Sequence, residues 1–206
     1  MIVDGLLLAA GAGTRMGRPK ALLQTGGRTF IRRILYVLRE AGLPDAAVVV
    51  RPTHDEVIAE VVASGFGRTV VNSRADEGQL SSLIAGLDAI DEPGVDAALV
   101  TLVDVPLVSV AAIRRLLART AISSAPVLRA VHHGAHGHPV VFKREIFAAL
   151  RAADPAEGAK AVVRSVVVED VETGDPGVLE DVDTPEDYER VVGRKETAEN
   201  RRPPNP

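Results

Sequence analysis

The chain has 206 residues, 46% hydrophobic and 25% charged, and its 24 Lys and Arg against 28 Asp and Glu leave a net charge of −4. That length and composition suit one globular domain, and the mild acidity gives no global reason to bind nucleic acid or an anionic membrane, so any anion site must be local. The absence of cysteine excludes disulfides, thiolate chemistry and cysteine-ligated zinc.

The first predicted strand, 2–9, is almost continuously apolar, as a strand buried on both faces is. Its apolar run is short and is preceded by Asp4 rather than a basic residue, which is not the pattern of a signal peptide, and no run is long enough to span a membrane. A cytoplasmic protein is expected. After a glycine-rich segment, Gly26 and Gly27 mark a turn and Thr29 an N-cap. Phe30, Ile31, Ile34, Leu35 and Leu38 then recur at helical spacing until Gly42 and Pro44 stop the helix. The pattern continues with a strand at 46–50, a helix at 54–64, a strand at 69–72, a helix at 79–90, a strand at 97–103 and a helix at 110–119. The second half is less regular: strands at 126–131 and 139–142, helices at 144–152 and 156–164, a strand at 165–170 and a last helix at 184–192. Strand and helix alternate through the first half, which predicts a three-layer α/β/α fold with a mostly parallel sheet. The polar, proline-rich residues 193–206 are expected to form a disordered tail behind a single domain at 1–192.

Ligands of such sheets bind at the carboxyl ends of the strands. The loop after the first strand carries Gly11, Gly13 and Gly17 with Arg15 and Lys20. Glycines let the backbone approach a ligand and turn successive N–H groups onto phosphate oxygens, and the two cations add full charges. The Walker pattern needs a lysine directly after its last glycine, but Arg18 follows Gly17 here. The dinucleotide fingerprint is one residue shorter, and it expects an acid after the second strand where Arg51 and Pro52 stand. An arginine there could still suit a phosphorylated ribose, so an oxidoreductase is disfavoured rather than excluded.

Asp104 ends a buried strand in LVDVP, where a carboxylate is costly unless paired or bound to a cation. Magnesium, which takes one or two carboxylates plus water and phosphate oxygens, is the expected ion, and a helix cap is the plainer alternative. Asp181 and Asp183 form a second acidic group, in which Asp183 is a candidate second metal ligand even though Thr184 and Pro185 also read as an ordinary helix start. Ser81 and Ser82, at the start of a helix, suit either a base or ribose or a cap. Four of the five histidines lie in HHGAHGH, 132–138, whose spacing matches no zinc motif. That glycine-rich loop is expected to line an acceptor pocket, with His138 near the acceptor phosphate.

The run Leu8, Ala9, Ala10, Gly11, Gly13, Arg15, Gly17 and Lys20, written L-A-A-G-x-G-x-R-x-G-x-x-K, resembles the signature loop of nucleotidyltransferases. EGQLSSLIAGL, TLVDVPLVS, GHPVVF, EGAKAVV and DVDTPEDY extend the resemblance, in order, to the MobA-like NTP transferases and most to their molybdenum cofactor cytidylyltransferase branch. What the resemblance implies is a Rossmann-like nucleotidyltransferase fold and Mg²⁺-dependent transfer of CMP from CTP to molybdopterin, with pyrophosphate released. Ala9 and Ala10 correspond to the alanines of the cytidine enzymes, where the guanylyl branch carries L-A-G-G. By the same resemblance Gly11, Gly13, Arg15 and Lys20 hold the phosphates, Ser81 and Ser82 lie by the base, Asp104 and Asp183 hold the metal, and a recipient molybdoenzyme is a partner. His136 stands where many relatives carry an arginine, and Lys160 replaces a common arginine; both are candidates for acceptor contact. A sugar-phosphate nucleotidyltransferase and a non-catalytic cofactor carrier are the rival readings.

Overall fold

The computed structural model describes residues 1–13 and 16–199, with side chains as far as Val192. Seven strands form one sheet: β1 (Ile2–Leu8), β4 (Ala46–Val50), β5 (Arg68–Val71), β6 (Val95–Leu102), β7 (Val127–His132), β8 (Ala135–Lys143) and β9 (Val168–Glu172), in the order β5-β4-β1-β6-β8-β7-β9. Only β8 runs antiparallel to its neighbours. The remaining strands, β2 (Gln24–Thr25) and β3 (Arg28–Thr29), form a separate small hairpin around Gly26 and Gly27, both at positive φ.

Alternation along the strands sorts the side chains into two cores. Leu7, Val48, Val50, Leu99 and Val141 pack on one face beneath α1 (Phe30–Ala41), α2 (Asp55–Ser64) and α4 (Val110–Thr120). Leu6, Leu8, Val49, Val100 and Phe142 pack on the other beneath α3 (Gln79–Ile90), α5 (Phe147–Arg151) and α6 (Ala159–Ser165). Local chemistry sets the helix ends. The Thr29 hydroxyl accepts from the Arg32 N–H at 3.4 Å and Gly42 closes α1 at φ 98°; Ser109 caps α4 by accepting from the Ala112 N–H at 3.2 Å. Gly86 lies against β1 so closely that a Cβ would sit 2.1 Å from Leu6 Cδ1.

The second half departs from expectation in three places. The histidine-rich segment is a tight antiparallel hairpin rather than a loop: β7 and β8 meet at His133 and Gly134, with φ of 50° and 77°, the pair of positive values that matches hairpin twist. The helix expected at 156–164 begins only at Ala159, because a turn over 154–157 precedes it. The last helix, α7 (Pro185–Glu199), runs seven residues past the expected end at 192, and residues 200–206 lie outside the described residues.

Beyond the β-strand ends the ladder continues: Ala9 N–H donates to Val49 O at 2.8 Å and Val103 N–H to Leu8 O at 3.1 Å. The chain leaves β1 toward β4 on one side and returns through β6 on the other. That reversal opens a crevice at the carboxyl ends of β1 and β6, between the glycine loop and Asp104.

At the opposite end of β1, Asp4 is only 8% exposed. Burial raises its carboxyl above the ordinary value, Arg68 opposing and Glu92 adding. The folded state thus holds the proton more tightly than the unfolded one. Stability is lost as pH rises from the ordinary carboxylate value through the raised one, and the cost is complete above it. Asp4→Asn is expected to gain about 1 kcal/mol at pH 7, a gain that shrinks toward pH 4, as urea unfolding at the two pH values will show.

Candidate functional site

The glycine loop is bound to its surroundings by main-chain geometry. Gly13 has φ +62°, and a Cβ there would lie 2.3 Å from the Arg18 carbonyl oxygen, so only glycine lets the loop fold back this tightly. The Met16 N–H closes the turn on Gly13 O at 3.0 Å. Arg15 lies outside the described residues. Ala10 is fixed from outside: Arg51 Nε donates to its carbonyl at 2.7 Å, and the same guanidinium reaches Asp76 Oδ1 at 2.7 Å. Arg51 thereby ties the glycine loop to the turn before α3.

Lys20, carried on a one-turn 3-10 segment (Lys20–Leu22), reaches the crevice from below the loop. Its ammonium donates to Asp104 Oδ2 at 3.2 Å and also to Asp183 Oδ1. Burial disfavours its charge, but the hydrogen bond to Asp183 and the attraction of both carboxylates outweigh that, and its pKa is raised. Asp104 Oδ1 is buried with no hydrogen-bond partner. Asp181 completes the acidic group. Burial raises its pKa first, and the charges of Asp104 and Asp183 add to the effect.

Residues 78 positions apart in the chain meet here because the main chain is pinned. Val182 N–H donates to Asp104 O at 2.9 Å. The 3-10 turn Pro176–Leu179 that leads into this segment packs on β8 at Gly137, where a Cβ would sit 2.1 Å from Val178 O. Arg33 Nε donates to Pro106 O at 2.6 Å and steadies the loop after Asp104.

The two carboxylates of Asp104 and Asp183, the first with its buried Oδ1 unpartnered, fit a magnesium-like ion, which keeps water and phosphate oxygens as its other ligands. They do not make an all-protein cage: among the described residues no group of three or more His, Cys, Asp or Glu is arranged to hold a metal ion.

A cleft of about 240 Å³ runs along this site, lined by Ala9, Ala10, Gly11, Gly13, Lys20 and Asp104 on one side and by Gly78, Gln79 and Ser82 on the other. The structure so brings together the glycine loop, the lysine, both acids and one of the two serines. Ser81 is turned away, its hydroxyl 2.7 Å from Arg74 O and 2.8 Å from Gly78 O.

A second cleft, about 300 Å³, shares Leu8, Gly78 and Gln79 with the first and is lined further on by His138, Phe142, Glu157, Gly158 and Lys160. Burial lowers the pKa of His138, against the pull of Asp104 and a hydrogen bond to the Val100 backbone, so the imidazole is neutral near pH 7. Its buried Nδ1 has no partner. His136 is not brought to either cleft: it is exposed near the tip of the hairpin, with Nε2 3.3 Å from Asp170 Oδ2. Arg51 entered the sequence reading only as a possible ribose-phosphate ligand, Asn72 only as the last residue of the expected strand at 69–72, and Arg33 not at all. A polar residue directly after the β-branched run at 69–71 was the available signal for Asn72; for Arg33, on a helix, there was none.

Glycine loop, lysine and strand-end acid at the switch point of a parallel sheet are the parts of a protein that handles nucleoside triphosphates. The sequence model of the MobA-like NTP transferase domain matches residues 5–171, and the chain belongs to that family; it is a nucleotidyltransferase by family. It is 33% identical over 205 residues to the nicotine blue oxidoreductase of Paenarthrobacter nicotinovorans, covering 92% of this chain and 96% of that one. It is 28% identical over 200 residues to the purine catabolism protein PucB of Bacillus subtilis, covering 91% and 94%. Among solved structures it is similar to Rv0371c from Mycobacterium tuberculosis, with a TM-score of 0.80 at 27% identity over 94% of this chain and 99% of that one. Rv0371c has also been solved in complex with manganese. Among the described residues no helix is long and apolar enough to cross a membrane.

Proposed function

We propose that this protein is a Mg²⁺-dependent cytidylyltransferase that moves CMP from CTP to the terminal phosphate of molybdenum-bearing molybdopterin. The observation that carries the reading is the Lys20 ammonium held between Asp104 and Asp183 at the mouth of the glycine-loop cleft. An oxygen of the acceptor phosphate attacks the α-phosphorus of CTP, the bond from that phosphorus to the bridging oxygen breaks, and pyrophosphate leaves with the electron pair. Phosphate monoesters are already ionised near neutral pH, so no general base is needed, and positioning and charge stabilisation carry the rate. Asp104 and Asp183 would hold a divalent cation, which when bound would supply Lewis-acid neutralisation of phosphate charge.

The residues of this chain do the rest. Backbone N–H groups from Gly11 to Gly13, with Arg15, hold the β- and γ-phosphates. Lys20 meets charge that builds on the α-phosphate. Ala9, Ala10 and Ser82 form the walls of the base pocket, while Ser81 acts behind that wall. The neutral His138 ring, with its N–H given to the Val100 backbone, leaves Nδ1 as a hydrogen-bond acceptor for the acceptor molecule, and Lys160 offers a cation to it in the second cleft. A recipient molybdoenzyme would then take the product.

A second reading, nicotinamide-dependent reduction, is favoured by one observation: the full-length relative from Paenarthrobacter is named an oxidoreductase. Against it, Arg51, the residue that would meet a ribose phosphate, is engaged by Ala10 and Asp76. Calorimetric titration with CTP, GTP, ATP and NADPH, each with Mg²⁺, separates the two. Preferential CTP binding supports the cytidylyl reading. A preference for GTP or ATP keeps the chemistry and overturns the nucleotide, and a response to NADPH alone overturns the transfer reading.

A further inference from the structure

Asn72 follows β5 directly, and its N–H extends the ladder to Val50 O at 2.9 Å. Its side chain is buried, the residue being 4% exposed, and it lines neither cleft. The orientation of its carboxamide is fixed by the main chain. Oδ1 accepts from the Arg74 N–H at 2.9 Å, so Nδ2 must face α3, where it lies 2.9 Å from Ser81 Oγ and 3.0 Å from Ser82 Oγ. An amide nitrogen carries two hydrogens and no acceptor. Both serine oxygens therefore accept from Asn72, and each hydroxyl must place its own proton elsewhere. That of Ser81 has the carbonyls of Arg74 and Gly78. That of Ser82 has no acceptor among the described residues, and Ser82 is the one that lines the nucleotide cleft.

We propose that Asn72 sets the polarity of the Ser82 hydroxyl, making it an obligate donor to an acceptor atom on the base of the bound nucleotide. The base rather than a phosphate is the target because Ser82 is only 5% exposed and lines the cleft together with Leu8 and Ala10, where a charged group is costly. For a cytosine ring the matching atoms are O2 and N3. Asn72 is a positioning residue: it touches no substrate and acts through Ser82. This rests on the triphosphate reading above.

The test is the dissociation constant for CTP with Mg²⁺ in wild type, Ser82→Ala, Asn72→Asp and the double variant, with thermal melting to follow the fold. Ser82→Ala is expected to weaken CTP about tenfold, the size of one neutral buried hydrogen bond. In Asn72→Asp the new carboxylate only accepts, so the Ser82 proton turns inward and a lone pair faces the base; a similar loss is expected. The double variant should bind as Ser82→Ala does, since the second change has no donor left to redirect. A merely structural role for Asn72 predicts losses that add, and that result overturns the proposal. Unchanged affinity in Ser82→Ala overturns it too, whether or not Asn72→Asp folds. Failure of the wild-type protein to bind any triphosphate defeats the nucleotide reading itself, a result distinct from binding that persists in Ser82→Ala.

Discussion

Lys20→Ala is expected to lower kcat about 10²- to 10³-fold and, in the same protein, to tighten the binding of Mn²⁺. The two effects have one origin. Among the described residues the Lys20 ammonium is the cation that pairs with both Asp104 and Asp183, and in the proposed reaction it would meet the charge that develops on the transferring phosphate. Without it the reaction loses a preorganised positive charge, which in a partly buried site is worth far more than in water. The carboxylates, with Asp181 beside them, are left to repel one another, and a divalent ion no longer competes with a tethered cation. Thermal stability in chelator should fall and recover when Mn²⁺ is added, because an ion that binds only the folded state stabilises it by mass action. Pyrophosphate release gives the first effect and Mn²⁺ titration the second. Weaker Mn²⁺ binding in the variant would show that Lys20 organises the acids rather than holding their place.

Asp104→Asn is expected to cost about 10³-fold in turnover, the equivalent of several kcal/mol of charge stabilisation, and to remove the effect of Mg²⁺ on CTP affinity. The amide keeps the shape of the carboxylate and loses its charge. The main-chain bonds that shape the site do not involve that side chain: Val182 N–H still meets Asp104 O, and Val103 N–H still meets Leu8 O. The melting temperature should therefore stay close to that of wild type. Metal-dependent CTP binding, read by calorimetry with and without Mg²⁺, is the decisive measurement. A variant that keeps its Mg²⁺ response would move the metal site away from Asp104.

Much of the fold was legible because it is written locally. The β1 and β4 runs are apolar on both faces, Thr29 and Ser109 are caps with the right geometry, and Gly42 has the left-handed conformation its position requires. The histidine-rich segment was harder. Its turn is His133 and Gly134 rather than the usual Asn and Gly, so nothing in residue type announced a hairpin, and β8 had to be antiparallel in a sheet whose other strands are parallel. The C-terminal helix overran its expected end because the apolar periodicity stops near Val192 while the backbone stays helical to Glu199.

The sequence by itself determined the class of the protein. Glycines, cations and a strand-end aspartate at fixed spacing encode the crevice on which the proposed phosphate chemistry rests, since backbone freedom and strand direction are properties of short segments. Only the tertiary structure decided which groups act together. Lys20 meets Asp183 across 163 positions, His136 goes to Asp170 while His138 enters the second cleft, and Arg51 braces the glycine loop. Asn72 takes both serines but leaves only Ser82 on the cleft wall. These choices depend on strand order and on close backbone approaches such as that of Gly137 to Val178, which bring distant segments within hydrogen-bond reach and which no local pattern of residues records.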